Sequence, residues 1–169
     1  VYLAALESGY RPNTKVLDAP LVIDQGPGLE EWKPKNYSGM FYGPSTLRVG
    51  LEKSRNVMTV RLANKIGMEK ILKLIKKFGI KKGINSQLSM SLGSGVVTLL
   101  DITNAYGIIA NGGKKIEPKL ITSIYSKDGK KIYDTRIKKC FGCRIETISS
   151  KNEIPNLDEP KNIIIDPRL

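Results

Sequence analysis

The chain has 169 residues, 40% of them hydrophobic and 26% charged, the balance of a globular domain long enough to bury a core. Its net charge of +12 raises nucleic acid or an anionic surface as a partner, but only 7% of residues are aromatic and the lysines are spread along the chain, so nucleic-acid binding is not expected. Histidine is absent, which excludes a Ser-His-Asp triad within these residues, and no run of 18 apolar residues occurs that would cross a membrane.

In chain order, residues 1–8 read as the end of a helix stopped at Gly9, with Pro12 just beyond. Leu21-Val-Ile-Asp24 is a candidate short strand before the Gly26-Pro-Gly28 turn, and residues 25–44 read as loop. Helices follow at about 45–53 and 56–66, the second with Asn56 as its expected N-cap and Gly67 as its stop. A third runs from Met68 to Phe78, with Met68, Ile71, Leu72, Ile75 and Phe78 on one face and Lys70, Lys73, Lys76 and Lys77 on the other. A basic amphipathic helix can meet a membrane or an anionic partner; more often it packs on a core and leaves its lysines in water, which is the expectation here.

Gly93-x-Gly95 lacks the remaining glycine and the Lys-Ser/Thr ending of a phosphate loop. It reads as a turn into a helix from about 98 to 111, capped by Thr98 and closed by Asn111-Gly-Gly113. Lys127-Asp-Gly129, between the apolar stretches Lys119–Tyr125 and Lys130–Tyr133, predicts a β-hairpin. From about 135 to 162 the chain is polar, broken by Pro155 and Pro160, and reads as an irregular excursion. Within it lies Cys140-Phe-Gly-Cys143, a spacing open to redox chemistry, half a zinc site or a disulfide. With no histidine and no second cysteine pair, tetrahedral zinc would need carboxylates or another chain, and no metal or cofactor is expected. The flanking Lys138, Lys139 and Arg144 favour the thiolate and so ease oxidation.

The candidates for chemistry are Ser54 and Asn56 of Ser54-Arg55-Asn56, at the junction of the helical runs 46–53 and 57–65. A hydroxyl and a carboxamide two residues apart at such a junction can both point into one cleft. Serine acyl-transfer enzymes of the penicillin-recognising type combine S-x-x-K with S-x-N and K-T-G, and only the middle element occurs here. Standing alone, Ser-x-Asn also fits an ordinary inter-helix cap.

The sequence around it decides between these. Val1-Tyr-Leu-Ala-Ala-Leu-Glu-Ser-Gly-Tyr10, Pro12-Asn-Thr, Leu17-Asp-Ala-Pro20, Trp32-Lys-Pro-Lys-Asn-Tyr37 and Gly43-Pro-Ser-Thr-Leu-Arg48 lead up to Ser54-Arg55-Asn56. Leu92-Gly93, Thr98-Leu-Leu-Asp101, Ala105-Tyr106, Ala110-Asn-Gly-Gly113 and Ile165-Asp-Pro-Arg168 follow. This ordered set, which covers roughly residues 1–135 and a patch at the end, resembles the transpeptidase domain of class A penicillin-binding proteins, the bifunctional peptidoglycan synthases.

The resemblance implies an α+β, helix-rich fold: the helical part of the penicillin-binding and serine β-lactamase-like transpeptidase fold, with a β-hairpin and an irregular C-terminal segment. Residues 1–135 would form a partial transpeptidase core without S-x-x-K and K-T-G, and 136–169 an excursion carrying the C-x-x-C back towards it. The implied reaction is acyl transfer through a serine ester. A nucleophile outside these residues attacks the penultimate D-alanine of a stem peptide, its lysine acts as base, and Ser54 relays a proton to the departing nitrogen. Asn56 would fix the substrate's peptide group and hold the lysine. Arg55 fills the variable position as a solvent-facing charge, and Asp18 and Asp101 have turn and helix roles rather than acid–base work. The implied partners are peptidoglycan stem peptides, their lipid-linked precursor and β-lactams, for a parent protein anchored in the bacterial inner membrane and facing the periplasm. In that oxidising compartment Cys140 and Cys143 are expected to form a disulfide. Without its nucleophile the chain itself is expected to be inactive; the parent is expected to be a glycosyltransferase as well. The alternatives are a non-catalytic β-lactam sensor or scaffold of the same fold, and a basic interaction module using the lysine-faced helix.

Overall fold

The computed structural model describes residues 1–135, 162–166 and 168, together with the backbone of two short paired strands, β5 (Cys140–Phe141) and β6 (Asn156–Leu157). The expected Cys140–Cys143 pairing lies outside the described residues. The first helix, α1 (Tyr2–Glu7), stops as its sequence predicts: Gly9 turns to φ +87°, its N–H bonds to the Leu6 carbonyl, and the Tyr10 N–H reaches Ala5 at 3.0 Å. That bond pair is the Schellman stop a left-handed glycine permits.

Next, β1 (Lys15–Asp18) pairs antiparallel with β2 (Gly43–Thr46), setting Lys15 opposite Thr46 and Asp18 opposite Gly43. The expected strand at Leu21–Asp24 shrinks to a single bridge between Ile23 and Trp32, and the expected loop over 25–44 ends inside β2. Gly-Pro-Ser-Thr has no alternation of apolar and polar side chains. Its strand conformation comes from its partner rather than from its own propensity.

Three helices then follow almost without a break: α2 (Leu47–Glu52), α3 (Asn56–Ile66) and α4 (Met68–Lys77). The Thr46 hydroxyl caps α2 by accepting from the Val49 N–H at 3.3 Å. α3 buries Val57, Met58, Val60, Leu62, Ala63 and Ile66, too many positions for one face, because neighbours cover it on several sides. Met58 and Leu62 are fully enclosed, and each such side chain contributes about 1.5–3 kcal/mol of burial. α4 is one-sided. It packs on the core and leaves Lys70, Lys73, Lys76 and Lys77 exposed, as expected, but its buried face is Met68, Ile71 and Leu74 with Phe78 and Ile80. Leu74 is buried where Leu72 was expected, and Leu72 and Ile75 are half-buried.

A short 3-10 helix at Leu88–Leu92 leads through Gly93 to α5 (Leu99–Ala110). Thr98 caps α5, its hydroxyl accepting from the Asp101 N–H at 3.1 Å. The far end closes with the Gly112 N–H on Ile109 and the Gly113 N–H on Ile108, a second Schellman stop at the predicted place. Only Ala105 and Ile108 of α5 are buried; Leu99, Leu100, Tyr106 and Ile109 are all more than half exposed. β3 (Ser123–Tyr125) and β4 (Lys131–Asp134) make the predicted hairpin, with Gly129 at φ +76° in its turn. Residues 162–165 return to α5: the Ile164 N–H bonds to the Gly113 carbonyl at 2.8 Å, and Ile165 sits in the core. The architecture is helix-rich α+β.

Candidate active site

The site is built from the way α2 ends. Lys53 caps it, and Ser54 then turns to φ +50°, the only non-glycine residue with positive φ among the described residues. The Ser54 N–H bonds to Leu51 at 3.1 Å and the Arg55 N–H to Gly50 at 2.9 Å. This is the same stop that Gly9 makes for α1, with a serine in the place glycine usually takes. A left-handed residue with a Cβ costs about 1–2 kcal/mol, and such strain persists only where surrounding bonds over-determine it. The turn leaves the Ser54 side chain exposed at the junction, without a hydrogen-bond partner among the described residues.

Asn56 begins α3 but does not cap it, contrary to expectation. The N-cap position belongs to Arg55, whose side chain makes no capping bond, and the Asn56 Nδ2 donates to the Lys35 carbonyl at 3.1 Å. One N–H and the amide oxygen of Asn56 remain for other partners. The capping group comes from 21 residues away: Asn36 Oδ1 accepts from the Val57 N–H at 3.2 Å. Asn36 is only 5% exposed, and its Nδ2 lies 2.9 Å from both carboxylate oxygens of Asp18 and from the Met40 carbonyl. Asp18 itself is 0% exposed at the end of β1.

Arg55 also departs from its expected role as a solvent-facing charge. Its guanidinium carbon stacks 3.3 Å from the centre of the Tyr42 ring, a cation–π contact, and its Nε is buried without a partner among the described residues. The Tyr42 hydroxyl bonds to Ser38 Oγ at 3.1 Å. The Tyr42 phenol is shifted below its ordinary range, first by that hydrogen bond and then by Arg55. Across the helix junction, the Tyr2 hydroxyl meets Thr59 Oγ1 at 3.1 Å; burial pushes the Tyr2 phenol up, against the pull of that bond.

Ser54 and Asn56 lie where α2 gives way to α3. Asp101 is a helix residue, its N–H taken by Thr98. Sequence reasoning missed the supporting residues Lys35, Asn36 and Tyr42 and the buried pairing of Asp18. For Asp18, Lys35 and Asn36 the available signal was their place in Leu17–Pro20 and Trp32–Tyr37, whereas Tyr42 lies outside every such segment; nothing in the spacing says that a carboxylate and an amide 18 residues apart will meet. Among the described residues no group of three or more metal-binding side chains converges. A cavity of about 200 Å³ between α1 and α2, walled by Tyr2, Leu6, Leu47 and Leu51, does not include Ser54 or Asn56.

Comparison with known proteins identifies the family and the fold. Residues 1–141 match the penicillin binding protein transpeptidase domain. The chain is 51% identical over 156 residues to penicillin-binding protein 1A of Rickettsia bellii (strain RML369-C), covering 92% of this chain and 19% of that protein. It thus spans about a fifth of the length of such curated relatives. Among solved structures, penicillin-binding protein 1A from Haemophilus influenzae superposes with a TM-score of 0.75 at 34% identity, over 79% of this chain and 20% of that one. The imipenem acyl-enzyme complex of penicillin-binding protein A from M. tuberculosis shares the fold, with a TM-score of 0.71 at 20% identity over 99% of this chain and 38% of that one. The chain belongs to the penicillin-binding protein transpeptidase family, alongside the class A members its motifs resemble.

Proposed function

We propose that this chain forms the Ser-x-Asn side of the active site of a penicillin-sensitive D,D-transpeptidase that cross-links peptidoglycan through a serine acyl-enzyme. The observation that carries this reading is Ser54: an exposed hydroxyl held in a left-handed backbone conformation that a mere cap would leave to glycine. In the reaction, a serine oxygen from S-x-x-K adds to the penultimate D-alanine carbonyl. The C–N bond breaks, and the departing nitrogen takes a proton through the Ser54 hydroxyl. Asn56, with its free N–H and oxygen, holds the substrate's peptide group and the lysine. The amine of a second stem peptide then attacks the ester and forms the cross-link. A β-lactam stops the cycle at the ester.

On this reading the parent protein also polymerises glycan strands, is anchored in the inner membrane and works on its periplasmic side. It meets stem peptides and their lipid-linked precursor there. S-x-x-K and K-T-G do not occur in these 169 residues, so the chain by itself does not acylate.

The test is covalent labelling by fluorescent penicillin of a longer protein that includes both other motifs. Ser54→Ala should slow labelling about 10²–10⁴-fold. Asn56→Ala should slow it too, and the 169-residue chain should take no label. A folded longer protein that takes no label overturns the reading. One that labels but forms no cross-links is a β-lactam sensor instead.

A further inference from the structure

We infer that Asp18 and Asn36 are a positioning pair, which fixes the conformation of the Ser54–Asn56 turn from behind; its bearing on catalysis rests on the transpeptidase reading. The inference starts from saturation. Asn36 donates to Asp18 and to the Met40 carbonyl, both at 2.9 Å, and accepts from the Val57 N–H. Both ends of its amide are committed. Asp18 is fully buried, and Asn36 is its side-chain donor among the described residues. A carboxylate removed from water is tolerated only while it is compensated, so each partner needs the other in one geometry.

The pair acts through adjacent residues. Lys35 takes the Asn56 side-chain amide, and Asn36 takes the Val57 N–H. Two successive loop residues thus grip two successive residues of α3. Tyr42, two residues beyond the carbonyl that Asn36 holds, carries Arg55 on its ring. Residues 55, 56 and 57 are all fastened to the segment 35–42, and that segment is fastened to β1 through Asp18. Ser54 lies between this clamp and the closing bonds of α2. Its strained backbone is over-determined from both sides. An apolar pair of the same size would fill the space at less desolvation cost, but it would not dictate the angle at which α3 leaves the turn.

The test has two arms. In the 169-residue chain, NMR follows amide exchange at Val57, exchange of the Asn56 side-chain amide, and the Ser54 N–H to Hα coupling that reports its φ. Asn36→Ala should speed exchange at Val57 roughly 5- to 30-fold and shift the Ser54 coupling, with the Ile71 and Leu74 amides of α4 unchanged. Asp18→Asn, which keeps an acceptor for Asn36, should do the same more weakly. It also decides the question if Asn36→Ala does not fold. In the longer protein, the same variants should slow the acylation step, about 10²-fold for Asn36→Ala, with little change in the concentration of β-lactam at half-saturation. A folded variant with an unmoved Ser54 coupling, exchange that rises equally in α4, or acylation at the normal rate despite an altered turn each overturns the inference. An unlabelled unsubstituted protein would defeat the transpeptidase reading alone, because the NMR arm still decides whether the pair sets the turn.

Discussion

At the scale of single residues, Ser54 bears a backbone cost that the proposed role of its hydroxyl would explain. Its left-handed backbone costs about 1–2 kcal/mol, and glycine there would escape that cost while losing about 0.5–1 kcal/mol of extra chain entropy. Ser54→Gly is therefore expected to stabilise the chain by about 0.5–1 kcal/mol in a urea titration, and to slow penicillin labelling of the longer protein as Ser54→Ala does. A substitution that strengthens the fold and removes the chemistry is the mark of a residue retained for its hydroxyl. Asp166 gives a second test. Its carboxyl is lowered to about 2, first by side-chain hydrogen bonds from Arg168 (Nε at 2.9 Å to one oxygen) and then by the Arg168 N–H. Because the folded value is depressed, the contact is intact above the ordinary 3.8 and is lost as pH falls towards 2. Carboxyl NMR should give Asp166 a midpoint near 2, and Arg168→Ala should move it up towards 3.8.

At the scale of elements, the parts specified by neighbouring residues were legible and the parts specified from afar were not. Gly9, Thr98 and Asn111-Gly-Gly113 mark helix ends because their bonds reach only a few residues along the chain. Replacing Thr98 by Ala should cost about 1 kcal/mol of stability, read from the denaturation midpoint. The hairpin around Asp128-Gly129 was legible for the same local reason, and so was the amphipathic character of α4, although Leu74 rather than Leu72 turned out to be buried. β2 was not, since Gly43-Pro-Ser-Thr46 is a strand only through its pairing with β1. The cap of α3 misled for a related reason: Asn56 has the right side chain at the right place, but its amide is drawn off to Lys35 and Asn36 does the capping. Of the candidate site, the tripeptide was visible and its support was not. Long-range contacts also set the role of Gly113, at φ +81°, where a Cβ would stand 2.5 Å from the Ile165 carbonyl oxygen. Gly113→Ala should cost at least about 1–2 kcal/mol and release residues 162–165 from α5, seen as faster exchange at the Ile164 amide.

At the scale of the whole molecule, two surface properties oppose each other. The chain carries a net charge of +12, yet α5 turns most of its apolar side chains outward, Leu99 at 81% exposure, with Val96 at 83% and Leu120 at 98% also in the open. Exposed apolar area of that kind attracts copies of the chain to one another, and like charge drives them apart. In dilute buffer the charge acts over tens of ångströms; at 0.1 M salt its reach falls to about 10 Å, and the apolar attraction is left unopposed. The isolated chain should then behave as a charge-stabilised colloid, clear at low ionic strength and clouding as sodium chloride is added. Light scattering should show this reversal of the usual salting-in, and Leu99→Lys with Leu120→Lys should postpone it to higher salt. A purification that begins in a high-salt lysis buffer would discard the protein as precipitate before its fold could be assayed.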